Sequence, residues 1–207
     1  MDVNQDVTSP YRERITHPFV DVTVLLRRDS EGGYVVLRVL LNYNNRDEMD
    51  HIPFLPEHFL EERIHRYLDG ERVDFSDVSI HTVECTPFQR DVLRAAVTIP
   101  RGSTISYSEL ARRAGHPHAV RAAATVMRKN RFPILIPCHR VIRGTGLVGS
   151  FMGTKSGNAP ALKQRLLELE GCRLKKNTSG VFDPRVLRME TGLRNEHFPA
   201  NPGFSQS

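Results

Sequence analysis

Residues 86–171 are punctuated closely by capping residues, prolines and glycines, which divide much of this stretch into short helices joined by tight turns. Thr86-Pro87 can start a helix whose apolar stripe is Phe88, Val92, Ala95 and Ala96, and Ile99-Pro100-Arg101-Gly102 breaks it. Ser106-Tyr107-Ser108-Glu109 has the form of a capping box, and Tyr107, Leu110, Ala111 and Ala114 make the buried face that follows. Gly115 closes this short helix, and Pro117 suits the first position of the next. There Val120, Ala123, Ala124 and Met127 face inward, while Arg121, Thr125 and Arg128 recur at i, i+4 and i+7 on the opposite side. Pro160 opens a last helix with Leu162, Leu166 and Leu169 inward, and Gly171 ends it.

A short helix, a tight glycine turn and a second helix with an arginine face form the helix-turn-helix pattern. The small run Ala122-Ala123-Ala124 would let the second helix approach a nucleic-acid groove closely. An ordinary helical hairpin with a solvated basic face has the same pattern, and the charge favours nucleic acid over it. Residues 1–86 carry 9 Lys/Arg against 17 Asp/Glu, a net −8, whereas residues 87–207 carry 20 against 7, a net +13. Between 101 and 143 there are 9 basic residues and the single Glu109. Charge segregated in this way predicts a polyanion-binding half beside an acidic one.

Within the basic region, the hydrophobic, strand-like run from Phe132 to Pro137 delivers Cys138-His139-Arg140. A free thiol with a pKa of about 8.5 is only a few per cent thiolate at neutral pH, so a reactive cysteine needs a base. Consecutive side chains diverge by roughly 180° in a strand and about 100° in a helix. His139 therefore reaches Cys138 more readily through a water than directly. A base in such a relay needs an orienting carboxylate, and Glu170, at the end of the last helix, is the acid best placed by type. Val141-Ile142-Arg143 and Leu147-Val148 flank Gly144-Thr145-Gly146, which reads as a hairpin or wing. Gly144 to Gly149 also matches GxGxxG, but no helix opens from these glycines, so they read as turn residues and not as a dinucleotide site.

The first half reads as a small α/β or α+β unit. Phe19–Leu26 and Tyr34–Leu40 are strand-like runs joined by Ser30-Glu31-Gly32-Gly33, and Phe59-Leu60…Ile64…Leu68 is helical in spacing, with Gly70 to end it. Nothing in residues 1–80 looks catalytic. A boundary is expected near Glu84–Pro87, where the charge changes sign. With 207 residues, 39% of them hydrophobic, the chain suits one or two soluble domains with real cores. No apolar run is long enough to span a bilayer, and the acidic start lacks an apolar signal core, which points away from secretion. Cys85, Cys138 and Cys172 are an odd, sparse set without CxxC or HxxxH spacing, so neither a disulfide framework nor a zinc finger is expected. A reducing compartment fits better.

Pro137-Cys138-His139-Arg140-Val141 resembles the active-site motif of the O6-alkylguanine-DNA alkyltransferases, also called methylated-DNA–protein-cysteine methyltransferases. The resemblance extends from about Thr86 to Gly171, through Phe88, Ile105-Ser106-Tyr107, Ala119 to Asn130, Pro133 to Val141, Gly149, Gly153 and Leu166 to Gly171. Residues 1–80 match in length and coarse pattern alone. The implied fold is α+β: a small N-terminal sheet-plus-helix domain, RNase H-like, over 1–85, then a winged helix-turn-helix domain over 86–173. The polar stretch 174–207 is expected to be a disordered tail.

The implied activity is direct-reversal DNA repair. A methyl or larger alkyl group moves once and irreversibly from O6-alkylguanine, and from O4-alkylthymine, to Cys138 after base flipping. His139 and Glu170 would complete a Glu–His–water–Cys relay. Tyr107 would help rotate the nucleotide and donate to the guanine ring, and Lys163 would assist beside Cys138 and Tyr107. Arg121 would enter the base stack, with Ala122, Thr125 and Arg128 on the same minor-groove surface. Asn130 would anchor the turn before the active-site segment. Backbone groups at Cys138 and Val141 would read the guanine amine, and Pro133 would wall the alkyl pocket. Phe151 stands where many members have Tyr, Met152 where animal enzymes have Ser, and the loop Thr154 to Ala159 is longer than theirs. The partner implied is double-stranded DNA, met by a monomer. Neither cofactor nor metal is expected, because the Cys/His set that holds structural zinc in some members is absent. A eukaryotic source would imply the nucleus, any other the cytoplasm.

Two rivals remain at this point. A non-catalytic alkyltransferase-like protein would have replaced the acceptor cysteine, commonly with Trp, but Cys138 is present and the chain has no tryptophan. A cysteine hydrolase would normally draw its histidine from far along the chain and would leave the arginine helix unexplained.

Overall fold

The computed structural model describes residues 9–42, 51–145, 148, 151 and 159–172. The chain divides into two compact units between Val83 and Glu84, and its architecture is α+β.

In the first unit, strands β1 (Tyr11–Ile15), β2 (Asp21–Arg28) and β3 (Tyr34–Asn42) form an antiparallel meander. After helix α1 (Glu61–Leu68), the short β4 (Ser79–Ile80) joins β3 in parallel, giving a mixed sheet in the order β1-β2-β3-β4. β2 is flanked by a strand on each side, and every residue from Val22 to Leu26 is buried, which accounts for its unbroken apolar run. The expected hairpin turn forms, with the Asp29 carboxylate accepting from the backbone N–H groups of Glu31 and Gly33.

β1 was not expected, because Tyr11-Arg12-Glu13-Arg14-Ile15 is too charged to look like a buried strand. Its charges are used internally. Buried Glu13 accepts hydrogen bonds from the backbone N–H groups of Phe59, Leu60 and Glu61 at 2.8, 2.9 and 3.0 Å, capping α1 from a neighbouring strand.

In the second unit, α2 (Pro87–Val97), α3 (Tyr107–Arg113) and α4 (Val120–Arg128) pack on one another. Thr86 caps α2 in a full capping box with Gln89. The buried stripe of α2 is Val92, Leu93, Ala95 and Ala96, so Leu93 takes the place expected for Phe88. Phe88 is half-buried and meets the His116 ring edge-on at 4.9 Å.

Several local expectations are corrected. Ser106 caps Glu109 N, but the Glu109 carboxylate turns to Arg112 and Arg113, so only half of that capping box forms. The helix after Gly115 starts at Val120 and not at Pro117, because His116 to Ala119 close a turn of their own, with Ala119 N donating to His116 O. Phe132–Pro137 is a series of turns and not a strand. In that segment Ile136 N donates to Phe132 O at 2.7 Å, and Ile134 sits at φ 73°, a strained value for a β-branched residue. Val141–Ile142 (β6) pairs in parallel with Ile105–Ser106 (β5), which no local pattern foretold. Gly146 and Leu147 lie outside the described residues, as do Met152 to Asn158 and the stretch 173–207, so the expected wing, loop and tail are not described.

The last helix, α5 (Ala159–Leu169), buries Leu162, Lys163, Leu166 and Leu167, with Leu167 in place of the expected Leu169. It ends in a Schellman motif: Gly171 N donates to Glu168 O and Cys172 N to Leu167 O, both at 2.9 Å. Gly171 supplies the left-handed residue at φ 84°, and Cys172 packs with Leu167 and Val148.

Candidate active site

β5 ends where α3 begins, and β6 begins where the Cys138–Arg140 turn ends. The parallel register Ile105↔Val141 and Ser106↔Ile142 ties the start of α3 at Tyr107 to the chain that leaves the Cys138–Arg140 turn. Pro137, at φ −79° and ψ 65°, forms an inverse γ-turn in which Cys138 N donates to Ile136 O at 2.8 Å. Cys138, His139 and Arg140 then make one turn of 3₁₀ helix. Asn130 holds the incoming turns from both sides. Its Nδ2 donates to Ile136 O at 2.9 Å and its Oδ1 accepts from Phe132 N at 3.0 Å.

The Cys138 thiol is buried, and burial pushes its pKa up. A hydrogen bond from the Asn130 side chain, the charge of Lys163 and two backbone N–H groups pull the other way, since all of them favour a thiolate. Lys163, 1% exposed, donates to the Val141 carbonyl at 2.6 Å. Its own burial lowers its pKa to about 8, and the charge of Cys138 opposes that. Burial raises the pKa of the Tyr107 phenol, the charge of Cys138 raises it further, and Arg143 opposes, so Tyr107 remains a proton donor.

His139 is fully buried, and its Nε2 lies 3.0 Å from Glu170 Oε1. Burial lowers the imidazole's pKa. The hydrogen bond and charge of Glu170 oppose this, and Arg140 and Lys163 add to it. Glu170 is presented at the helix terminus by the Schellman motif. Burial alone would raise its pKa, but His139 and Arg140 outweigh that and hold the carboxyl well below the ordinary range. Gly102 lies against this terminus. It sits at φ 77°, and a Cβ there would come within 2.9 Å of the Glu170 carbonyl oxygen.

A family model for the 6-O-methylguanine DNA methyltransferase DNA binding domain matches residues 87–172. The methylated-DNA–protein-cysteine methyltransferase of Methanothermobacter thermautotrophicus is 39% identical over 174 residues, 84% of this chain and 93% of that one. The chain belongs to the methylated-DNA–protein-cysteine methyltransferase family. The human member is 46% identical over 90 residues, 43% of this chain and 41% of its own length. Mycobacterium tuberculosis O6-methylguanine methyltransferase superposes with a TM-score of 0.65 at 29% identity, covering 82% of this chain and 98% of that one. A second structure from that organism, OGT in complex with DNA, gives 0.63 at 30% identity, covering 78% and 93%.

Within this methyltransferase, Asn130, Lys163 and Tyr107 act on the buried Cys138 thiol, and the next residue, His139, is held on Glu170. Pro133 is buried in the preceding turns, and Phe151 is buried too. Val141 lies in β6 with its carbonyl on Lys163, and the Cys138 carbonyl accepts from Val141 N. A carbonyl has two lone pairs, so either oxygen could still accept from a ligand. Met152 lies outside the described residues. Arg121, Ala122 and Arg128 are exposed on α4, away from the thiol's immediate shell. Thr125 is half-buried and donates its hydroxyl to Arg121 O at 3.1 Å.

Sequence reasoning missed Arg140, Gly102 and Arg101. Arg140 reaches Glu170 and the Ile99 carbonyl, and Arg101 donates to Leu169 O at 2.6 Å. The one available signal was an arginine beside His139, and its partners are too distant in sequence to be read locally. Among the described residues, Glu13, His58 and Glu61 form a group with metal-ligand geometry. The Glu13 carboxylate is already occupied by three N–H donors at a positive helix end, which disfavours a cation there.

Proposed function

We infer that this protein repairs alkylated DNA by moving the alkyl group of O6-alkylguanine, and of O4-alkylthymine, onto Cys138, once per molecule. The observation that carries this reading is a buried thiol beside Lys163 and Asn130, with the adjacent imidazole held on a buried carboxylate. In the reaction the alkyl carbon–O6 bond breaks and a carbon–sulfur bond forms. The thiol proton passes through a water to His139, guanine leaves as an anion and takes a proton from Tyr107, and solvent then returns a proton to the phenolate as the imidazolium gives up its own. The relay uses Nδ1 of His139, since Glu170 engages Nε2. A thioether offers no leaving group to a second nucleophile, so the protein is consumed.

The substrate is duplex DNA, bound by a monomer in the minor groove. An O6 substituent inside a base stack is out of reach, so the nucleotide must be flipped, at a cost of a few kcal/mol. Arg121, entering the stack, offsets part of that cost. Support comes from the packing of α3 on α4 with Arg121, Ala122 and Arg128 exposed, and from the basic charge of this half. We read this half as a winged helix-turn-helix. We read the first unit as RNase H-like, on its order of three antiparallel strands, a helix and a parallel strand.

Incubation with duplex DNA carrying O6-methylguanine, followed by peptide mass mapping, should put one methyl group on the peptide containing Cys138. Tight DNA binding with Cys138 unmodified would instead support a non-catalytic lesion binder.

A further inference from the structure

Arg140 is the residue of this site whose geometry goes beyond the relay. Its Nε donates to Glu170 Oε2 at 2.9 Å and one terminal nitrogen to Oε1 at 2.8 Å, a two-point grip on the same carboxylate that holds His139. The other terminal nitrogen donates to Ile99 O at 2.5 Å, which fixes the guanidinium plane against the end of α2. Glu170 Oε2 also accepts weakly from Gly102 N at 3.4 Å. The carboxylate is fully buried, whereas the Arg140 side chain is 14% exposed.

A buried carboxylate must be neutralised or paired. Were His139 its only partner, the pairing would be with imidazolium, and an imidazolium has no lone pair with which to take a thiol proton. An arginine is charged at any working pH and fits a carboxylate in two-point geometry. With Glu170 so paired, His139 can donate a neutral N–H to Oε1 and keep its other nitrogen basic.

We propose that Arg140 is a positioning residue which, by gripping Glu170, keeps His139 a neutral imidazole and so sets the lowest pH at which Cys138 can give up its proton. Among the described residues, the charged and titratable groups acting on or adjoining the ring include Lys163 from α5, Glu170 just past its C-terminal end, and Arg140 and Cys138 from its own turn. Of these, Glu170 alone favours the protonated ring, and Arg140 and Lys163 disfavour it. Lys163 bonds Val141 O and makes no grip on the carboxylate, so Arg140 is the cation that competes with His139 for Glu170.

This proposal rests on the reading of Cys138 as alkyl acceptor, and its test separates the two. Single-turnover methyl transfer from saturating O6-methylguanine duplex is measured from pH 6 to pH 9 for the unsubstituted protein, Arg140→Met and Arg140→Lys. Arg140→Met should lose several-fold more rate at pH 6 than at pH 9, because a larger share of the His139 rings is then protonated at the lower pH. Arg140→Lys, which restores a cation without the two-point fit, should fall between the other two. Equal losses at both pH values would reduce Arg140 to a structural role and overturn the proposal.

Should Arg140→Met fail to fold, 15N NMR of the His139 ring in the unsubstituted protein decides. A neutral ring at pH 7 that stays neutral at pH 6 supports the proposal, and an imidazolium at pH 7 overturns it. That reading needs no reaction. Failure of the unsubstituted protein to methylate Cys138 would instead sink the acceptor reading.

Discussion

Lys163 shows at the scale of one residue how this site sets chemistry against stability. Its folded pKa of about 8 lies below the ordinary 10.5. A depressed pKa means that the stability linked to this group is complete above about pH 10.5 and is lost as pH falls towards 8. At pH 7 the protein therefore holds a buried ammonium at a cost. Lys163→Met should raise stability at pH 7 by on the order of 1–2 kcal/mol, after loss of the bond to Val141 O, and should flatten the stability profile between pH 8 and 10.5. It should also slow methyl transfer by about tenfold or more, because the thiolate loses its nearby cation. Urea denaturation across that pH range, paired with transfer rates, checks both halves. Helical spacing alone would have made Lys163 an oddity on an apolar face beside Leu162 and Leu166, and the structure gives the reason for it.

At the scale of elements, the helix ends were legible and the strand pairings of the second unit were not. Gly70, Gly115 and Gly171 all close helices where expected, because a helix end is decided by the residues beside it. β5 and β6 are two residues each and pair across the whole α3–α4 hairpin, so no local periodicity marks them. The strand expected at Phe132–Pro137 failed for a related reason. Its apolar residues are buried as turns pinned by Asn130, and burial without alternation does not distinguish strand from turn. The pairing of His139 with Glu170 was legible from residue types and the family motif, whereas the Arg140 grip depends on where α5 ends.

Two predictions belong to this scale. Gly102→Ala would force a Cβ against the Glu170 carbonyl at a positive φ, so it should destabilise the second unit by about 1–3 kcal/mol and slow transfer, measurable by urea midpoint and single-turnover rate. Arg121→Ala, on the exposed face of α4, should weaken transfer from duplex DNA more than from free alkylguanine base. Equal losses on the two substrates would remove Arg121 from the flipping role.

For the whole molecule, the groups that build the site make the second unit sensitive to acid. His139 and Glu170 both have folded pKa values below their ordinary ones. The unfolded chain therefore binds more protons, and stability falls as pH drops, first through about 6.5 for the histidine and then through about 4.5 for the carboxyl. Glu109, held at about 2 by Arg112 and Arg113, adds to the lower part of that window. The urea midpoint of the second unit should fall steadily from pH 7 to pH 4, and Glu170→Gln should flatten the lower part of the slope. The division of charge along the chain was legible from composition, and the basic half proves to carry both the exposed arginine face and the buried thiol.

Whether Cys138 is a single-use acceptor is read directly by counting methyl groups. With a large excess of O6-methylguanine duplex and time for completion, each chain should carry one methyl group, all of it on Cys138, with no further demethylation of DNA. Continued demethylation beyond one equivalent, or a full equivalent of transfer by Cys138→Ala, would contradict that role.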